Sequence, residues 1–261
     1  MRLDGNRPFS ILTLASLLAL FLFFSAVLLS VLFYASPREL LSSLLSEEVQ
    51  FSIRLSLATA TVATVACMFL AVPAAYALSR FNFRGKGAID LLLYLPIGLP
   101  PVALGAALLI FFGTPVGKVF SSKFVFEVPG IVLAQFAVIS ALATKILKAT
   151  FDGIDEEYEA VARTLGCTRF QAFRRVTLHL ARGGLLTTIA ISWVRAVGEF
   201  GATVMLAGAT RMKTETLPIA IYLSLQAADV VKMSVLIIVL ALVSLAALFL
   251  IQRFGKGWPI I

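Results

Sequence analysis

The sequence predicts an all-α integral membrane protein of six transmembrane helices, and three observations predict it. Of 261 residues, 60% are hydrophobic and only 14% charged, where a soluble domain is about half apolar and about a quarter charged. The apolar residues fall in blocks of about 20 or more, the length that crosses a hydrocarbon core. The Lys and Arg behind the net charge of +8 sit between these blocks. They therefore read as topology determinants and not as a nucleic-acid surface. Helices are required because lipid offers no partner to a free backbone N–H or C=O.

In chain order, spans are expected at about 11–35, 53–79, 89–112, 130–148, 184–207 and 230–251, all within one domain covering 1–261. The apolar run Ile11–Ala35 follows Arg2 and Arg7. It is longer than the roughly 7–15 residues of a signal peptide, so an uncleaved first span is expected. The third span carries Pro96, Pro100 and Pro101 beside Gly98 and Gly105. Proline removes a helix hydrogen bond, so a kink is expected here, either beside a pathway or at a packed interface. The fifth span holds Arg195 and Glu199, one turn apart on one face and able to pair. Charges at that depth line a pathway or fix a helix internally. An even number of spans puts both termini on one side. Counting the loops with the span ends beside them (Lys145, Lys148, Arg54 and Lys232), that side carries fourteen Lys and Arg against seven opposite, which places both termini in the cytoplasm of a multi-pass cell-membrane protein.

The cytoplasmic loop at about 149–183 has structure of its own. Asp155 is expected to N-cap a helix whose first turn holds Glu156, Glu157 and Glu159. Gly166 is expected to end it in a left-handed conformation, with Tyr158, Ala162 and Leu165 on one face. Thr168 and Gln171 have the spacing of a capping box and open a second helix with Phe170, Phe173, Val176 and Leu178 as its apolar positions. Two capped helices make an elbow suited to docking, where a disordered linker would serve as a mere connector.

Several chemistries have no residues to carry them. There is no G-x-x-x-x-G-K-[ST] loop to cradle phosphates, so any ATP must be hydrolysed on another chain. His179 is the only histidine, which leaves no cluster to hold a metal, and no cofactor is expected. Cys67 and Cys167 fall in a span and in the cytoplasmic loop, so both are expected as free thiols.

The string from Glu159 to Gly166, followed by Phe173 to His179, resembles the EAA loop of ABC importer permeases. It departs from that motif in two ways: Ala160 stands at the usual glutamate position, with Glu159 one residue earlier, and His179 replaces a proline. Pro73–Arg80 with Phe83–Lys86, Leu95–Val102 and Trp193–Thr203 resemble the second, third and fifth spans of the sulfate/molybdate permease group. Thr214–Tyr222 is similar to its molybdate (ModB-type) branch.

The resemblance runs from about residue 52 onward. It implies a type I-like permease that pairs with a second copy of itself in the bilayer and receives its oxyanion from an extracytoplasmic binding protein. It further implies that an ABC ATPase subunit seats on the loop residues Tyr158, Glu159, Ala160, Ala162, Arg163, Leu165, Gly166, Phe170 and Phe173. Pro100, Pro101, Arg195, Glu199, Phe200 and Thr203 are then expected at the path or its gate. A sulfate or thiosulfate permease is the alternative within the group. An ion-coupled secondary transporter is the alternative outside it, although only one carboxylate, Glu199, lies deep in a span and no repeat is visible.

Overall fold

The computed structural model describes residues 7–34 and 36–254, and every regular element among them is helical. Arg2, Lys256 and Ala35, which enter the expectations above, lie outside the described residues. The helices are α1 (Arg7–Val31), α2 (Pro37–Leu44), α3 (Glu47–Arg80), α4 (Lys86–Gly98), α5 (Pro101–Gly113), α6 (Pro115–Phe124) and α7 (Val128–Asp152). They continue with α8 (Glu157–Thr164), α9 (Arg169–Ala172), α10 (Leu178–Leu180), α11 (Arg182–Val197), α12 (Gly201–Ala207), α13 (Leu217–Gln226) and α14 (Val230–Phe254). Among the described residues, four helices are long and apolar enough to cross a membrane, and the number rises to six if each of two sharply bent pairs is one span.

The centre of the bundle is the parallel pair α3 and α7, with α11 against both. The inner stripe of α3 is Ala60, Ala63, Cys67, Ala71 and Ala75, packed on Ile139, Ala143, Leu147 and Phe151 of α7 and on Ala196 and Val197 of α11. The outer face of α3 shows Val62, Val65, Phe69 and Leu70. Small residues inside and large ones outside suit a lipid solvent, where helices associate by close backbone approach. Both α3 and α7 end at the elbow, tied by the Ser79 hydroxyl to Asp152 at 2.6 Å. At the opposite end, Glu127 pairs with Lys213 at 2.5 Å and Glu48 pairs with Lys232.

Two expected spans are corrected. The segment 89–112 is not a kinked helix but two helices, α4 and α5, meeting at 114°. Leu99 turns extended at ψ 135, and Pro100 and Pro101 together withhold two N–H groups from helical bonding. The segment 184–207 is likewise two helices, α11 and α12, bent by 57° at Gly198–Phe200. Three boundaries also shift. α3 starts at Glu47, α7 runs to Asp152, and the loop expected at 149–183 is narrowed to residues 153–181. The first span ends at Val31 and continues as a 3-10 turn, Leu32–Tyr34. α6 and α13 are short helices outside the expected spans, and α13 is anchored in the core where the Leu217 N–H donates to Ser56 Oγ at 2.7 Å.

The two broken spans are fitted to each other. A Cβ on Gly105 of α5 would lie 2.7 Å from both the Cα and the carbonyl oxygen of Ala202 in α12. Gly105→Val is expected to destabilise the protein by about 1–3 kcal/mol through overpacking and to lower its melting temperature in detergent. Gly113→Ala, whose Cβ meets nothing within 4 Å, is the neutral control.

Candidate functional site

The elbow is held by one carboxylate. Glu159 of α8 points inward with its side chain 14% exposed. Its Oε2 accepts the Tyr76 hydroxyl at 2.7 Å. Its Oε1 accepts the Thr177 hydroxyl at 2.6 Å and Arg80 Nε at 3.3 Å. Arg80 also donates to the Ile154 carbonyl at 2.6 Å and lies 3.7 Å from Glu156. The Tyr76 ring packs on Phe173 at 4.5 Å and on Phe151 at 5.9 Å. Burial works to raise the Glu159 pKa, but the hydrogen bonds from Thr177, Tyr76 and Arg80 outweigh it and hold the carboxyl below its ordinary 4.5.

The cap at the start of α8 differs from the expectation. Glu156 takes the N-cap position, and Asp155 serves from one residue earlier, accepting the Glu157 N–H at 2.9 Å. The short turn at 155–158 tightens the entry and moves the cap by a residue. The end of α8 is as expected: Gly166 has φ +92, its N–H bonds Arg163 O and the Cys167 N–H bonds Ala162 O, a Schellman ending. The Thr168–Gln171 capping box is complete. The second helix is interrupted by a π-turn, Phe173–Thr177, which the apolar spacing did not foretell. Such bulges concentrate at functional sites, and this one carries the Thr177 hydroxyl that meets Glu159.

The outer surface of the elbow carries large apolar side chains among its charged ones. Tyr158, Val161, Leu165 and Phe170 are exposed, Leu165 by 81%. Ala160, Arg163 and Gly166 are exposed beside them, whereas Ala162 and Phe173 are half-buried.

The second candidate region is the pair of breaks. A cavity of about 170 Å³ is lined by Pro96, Ile97, Leu99 and Pro101 at the α4–α5 bend, by Val138 and Leu142 of α7, and by Arg195 of α11. Arg195 Nη1 pairs with Glu199 Oε2 at 2.6 Å, so the intrahelical pairing forms. Glu199 is buried, and its Oε1 accepts the Ala202 N–H at 2.9 Å, capping α12. Gln135 of α7 donates to the Ala196 carbonyl at 3.0 Å and patches the end of α11. Pro100 is exposed beside the cavity. Phe200 packs on Tyr222 at 5.3 Å, and Thr203 is fully buried, so neither faces the cavity. Sequence reasoning missed Tyr76, Arg80 and Thr177 at the elbow and Gln135 at the break. Only Gln135, a polar residue inside an apolar span, carried a signal that could have found it.

Six spans with two of them broken, and a capped elbow at one end, form a type I-like ABC importer permease fold. The same fold is seen in a bacterial alginate ABC transporter solved in complex with alginate pentasaccharide-bound periplasmic protein. That chain matches with a TM-score of 0.75 at 17% identity, over 97% of this chain and 95% of its own. Residues 67–258 match the family of binding-protein-dependent transport system inner membrane components, and this chain belongs to that family. Its relatives include the probable molybdenum ABC transporter permease of Haloferax volcanii, 36% identical over 94% of this chain and 90% of that protein. The molybdenum transport permease ModB of Escherichia coli K12 is 31% identical over 74% and 89%. The sulfate transport permease CysT of Salmonella typhimurium is 31% identical over 80% and 79%.

The Glu159 clamp gives a pH signature. A carboxyl lowered by folding stabilises above its unfolded value of 4.5, and that stability is lost as pH falls through the lower folded value. Glu159→Ala is therefore expected to loosen the elbow by about 2 kcal/mol at neutral pH, as hydrogen bonds to a charged group are removed. The loosening is read as faster amide exchange in α8, and the difference from wild type should shrink below pH 4.5.

Proposed function

We propose that this chain is the membrane-spanning subunit of an ABC importer that carries molybdate or tungstate into the cytoplasm. ATP hydrolysis on a separate subunit drives it, and an extracytoplasmic binding protein delivers the oxyanion. Two copies of the chain enclose the path, with the elbow and both termini in the cytoplasm. Arg195, backed by Glu199, lines that path with Pro100 and Pro101, while Phe200 and Thr203 pack behind it as parts of the gate.

The observation that carries this reading is the elbow's outer surface. Large apolar side chains stand on a helix that is rigidly capped at both ends, at the watery end of the bundle. Such a patch marks a protein contact, and a groove in an ATPase subunit is the contact that uses it. The small Ala160 and Ala162 leave room for close approach. The oxyanion class rests on the molybdenum relatives and on the partly exposed Arg195 in an otherwise apolar cavity. Sulfate shares the tetrahedral dianionic form, so substrate-stimulated ATPase activity with each oxyanion distinguishes the branches.

Two elbow variants test the coupling. Gly166→Val places a branched residue at φ +92, at a cost of roughly 1–2 kcal/mol from backbone conformation, because its Cβ meets nothing within 4 Å. Ala162→Glu puts a charge in the docking face. Both are expected to insert in the membrane, lose co-purification with the ATPase subunit and lose transport in proteoliposomes, whereas Gly166→Asn, which tolerates the left-handed conformation, keeps more of both. Wild-type assembly and transport by Gly166→Val and Ala162→Glu would remove the elbow from the mechanism. Hydrolysis of ATP by the purified chain alone would contradict the assignment of that step to a partner.

A further inference from the structure

We propose that Lys145 of α7 is a second anion station on the translocation path, receiving the oxyanion from the Arg195 cavity on its way to the elbow end. The proposal rests on the import reading above and adds a residue and a direction to it.

The cavity at the α4–α5 bend has a volume of about 170 Å³. That is room for several waters at about 30 Å³ each, and so for one tetrahedral oxyanion. Its walls are apolar apart from Arg195. Two of those walls continue beyond it toward the elbow. Val138 and Leu142 line the cavity from α7, and Lys145 follows on the same helix face at the three- to four-residue spacing that stacks side chains. On α4, Ile97 lines the cavity, and Tyr94 lies one turn nearer the elbow. The two extensions meet, with Lys145 Nζ 5.7 Å from the centroid of the Tyr94 ring. The second cation therefore lies about 5–10 Å along α7 from the cavity, three to seven residues at 1.5 Å each.

The partners of the basic residues separate Lys145 from its neighbours. Arg195 is paired with Glu199, Lys148 with Asp152 and Arg80 with Glu159. Lys145 is exposed and, among the described residues, has a ring beside it and no carboxylate within ion-pair distance. Lys145 lies seven residues before the end of α7, on the side of the cavity that leads to the elbow, where an ammonium with no carboxylate partner is available to an anion. A tyrosine face holds it in place without neutralising it, so it keeps its attraction for an anion.

The turn before Tyr94 adds an acidic residue to α4. Asp90 lies four residues before Tyr94 on α4, and its Oδ1 is buried without a hydrogen-bond partner. Arg195, already paired with Glu199, and the unpaired Lys145 thus stand as two weak sites in series, the arrangement that lets an ion enter and leave.

The test uses the complete complex, with its ATPase and binding protein, in proteoliposomes, and follows molybdate uptake and ATP hydrolysed per ion delivered. Lys145→Gln is expected to assemble normally, to lower uptake about tenfold, as loss of a contact worth about 1.4 kcal/mol would, and to raise the ATP used per ion. Lys145→Arg should restore most of the uptake, and Lys145→Glu should abolish it. Lys145→Met serves in place of the Gln variant should that one assemble poorly. Wild-type uptake and stoichiometry in the Gln or Met variant would overturn the proposal. Equal losses in the Arg, Gln and Met variants would do so as well, because a packing role and not charge would then be at work. A wild-type complex that takes up neither molybdate, tungstate nor sulfate would refute the import reading itself, and Lys145 as an oxyanion station would fall with it.

Discussion

Lipid supplies no hydrogen bonds, so a helix broken inside the membrane must find its missing partners within the protein. The break at Gly198–Phe200 depends on this constraint, and Glu199 meets it. One carboxylate oxygen caps α12 through the Ala202 N–H, and the other holds the Arg195 guanidinium. Gln135 serves the opposite lip by donating to the Ala196 carbonyl. The intramembrane charge pair is thus first a structural repair. Only because Glu199 anchors it does Arg195 stand in a fixed pose on the wall of the cavity. The structural role is thus shown by the hydrogen bonds, and the proposed path role of Arg195 builds on it.

The elbow uses the same economy in water. Glu159 joins α8 to the end of α3 and to the π-turn through three side-chain donors. Because Thr177 lies within that π-turn, the extra residue in the turn sets where its hydroxyl falls. The helix that carries the exposed Tyr158, Val161 and Leu165 is therefore tied directly to the segment leading into α11, and α11 carries Arg195. The elbow and the cavity wall are thus joined through a short, continuous stretch of helix.

Much of this was legible in the sequence because hydrophobic blocks, caps and left-handed glycines are local features. Gly166 and the Thr168 capping box were readable from spacing, whereas spacing allowed the Arg195–Glu199 pairing but left an interhelical partner open, Arg before Glu being the poorer order. The breaks were not. Proline announced a disturbance near residues 96–101, but whether a helix kinks or turns through 114° depends on what packs in the bend. At Gly198 no proline stood to announce anything. Tyr76, Arg80 and Thr177 escaped notice because their partner, Glu159, is 83, 79 and 18 residues away in the chain, and no periodicity records such a meeting. The inward aim of Glu159 was hidden for the same reason.

The contact between Gly105 and Ala202 has a consequence for how relatives of this chain can vary. The atoms that a new Cβ would strike are the Cα and carbonyl oxygen of Ala202, which every amino acid possesses. No compensating change at position 202 can make room, as it could if the obstacle were a side chain. A relative that keeps the two broken spans crossed at this distance must keep glycine at position 105. One that carries a larger residue there must have drawn the two helices apart, and with them the walls beside the cavity.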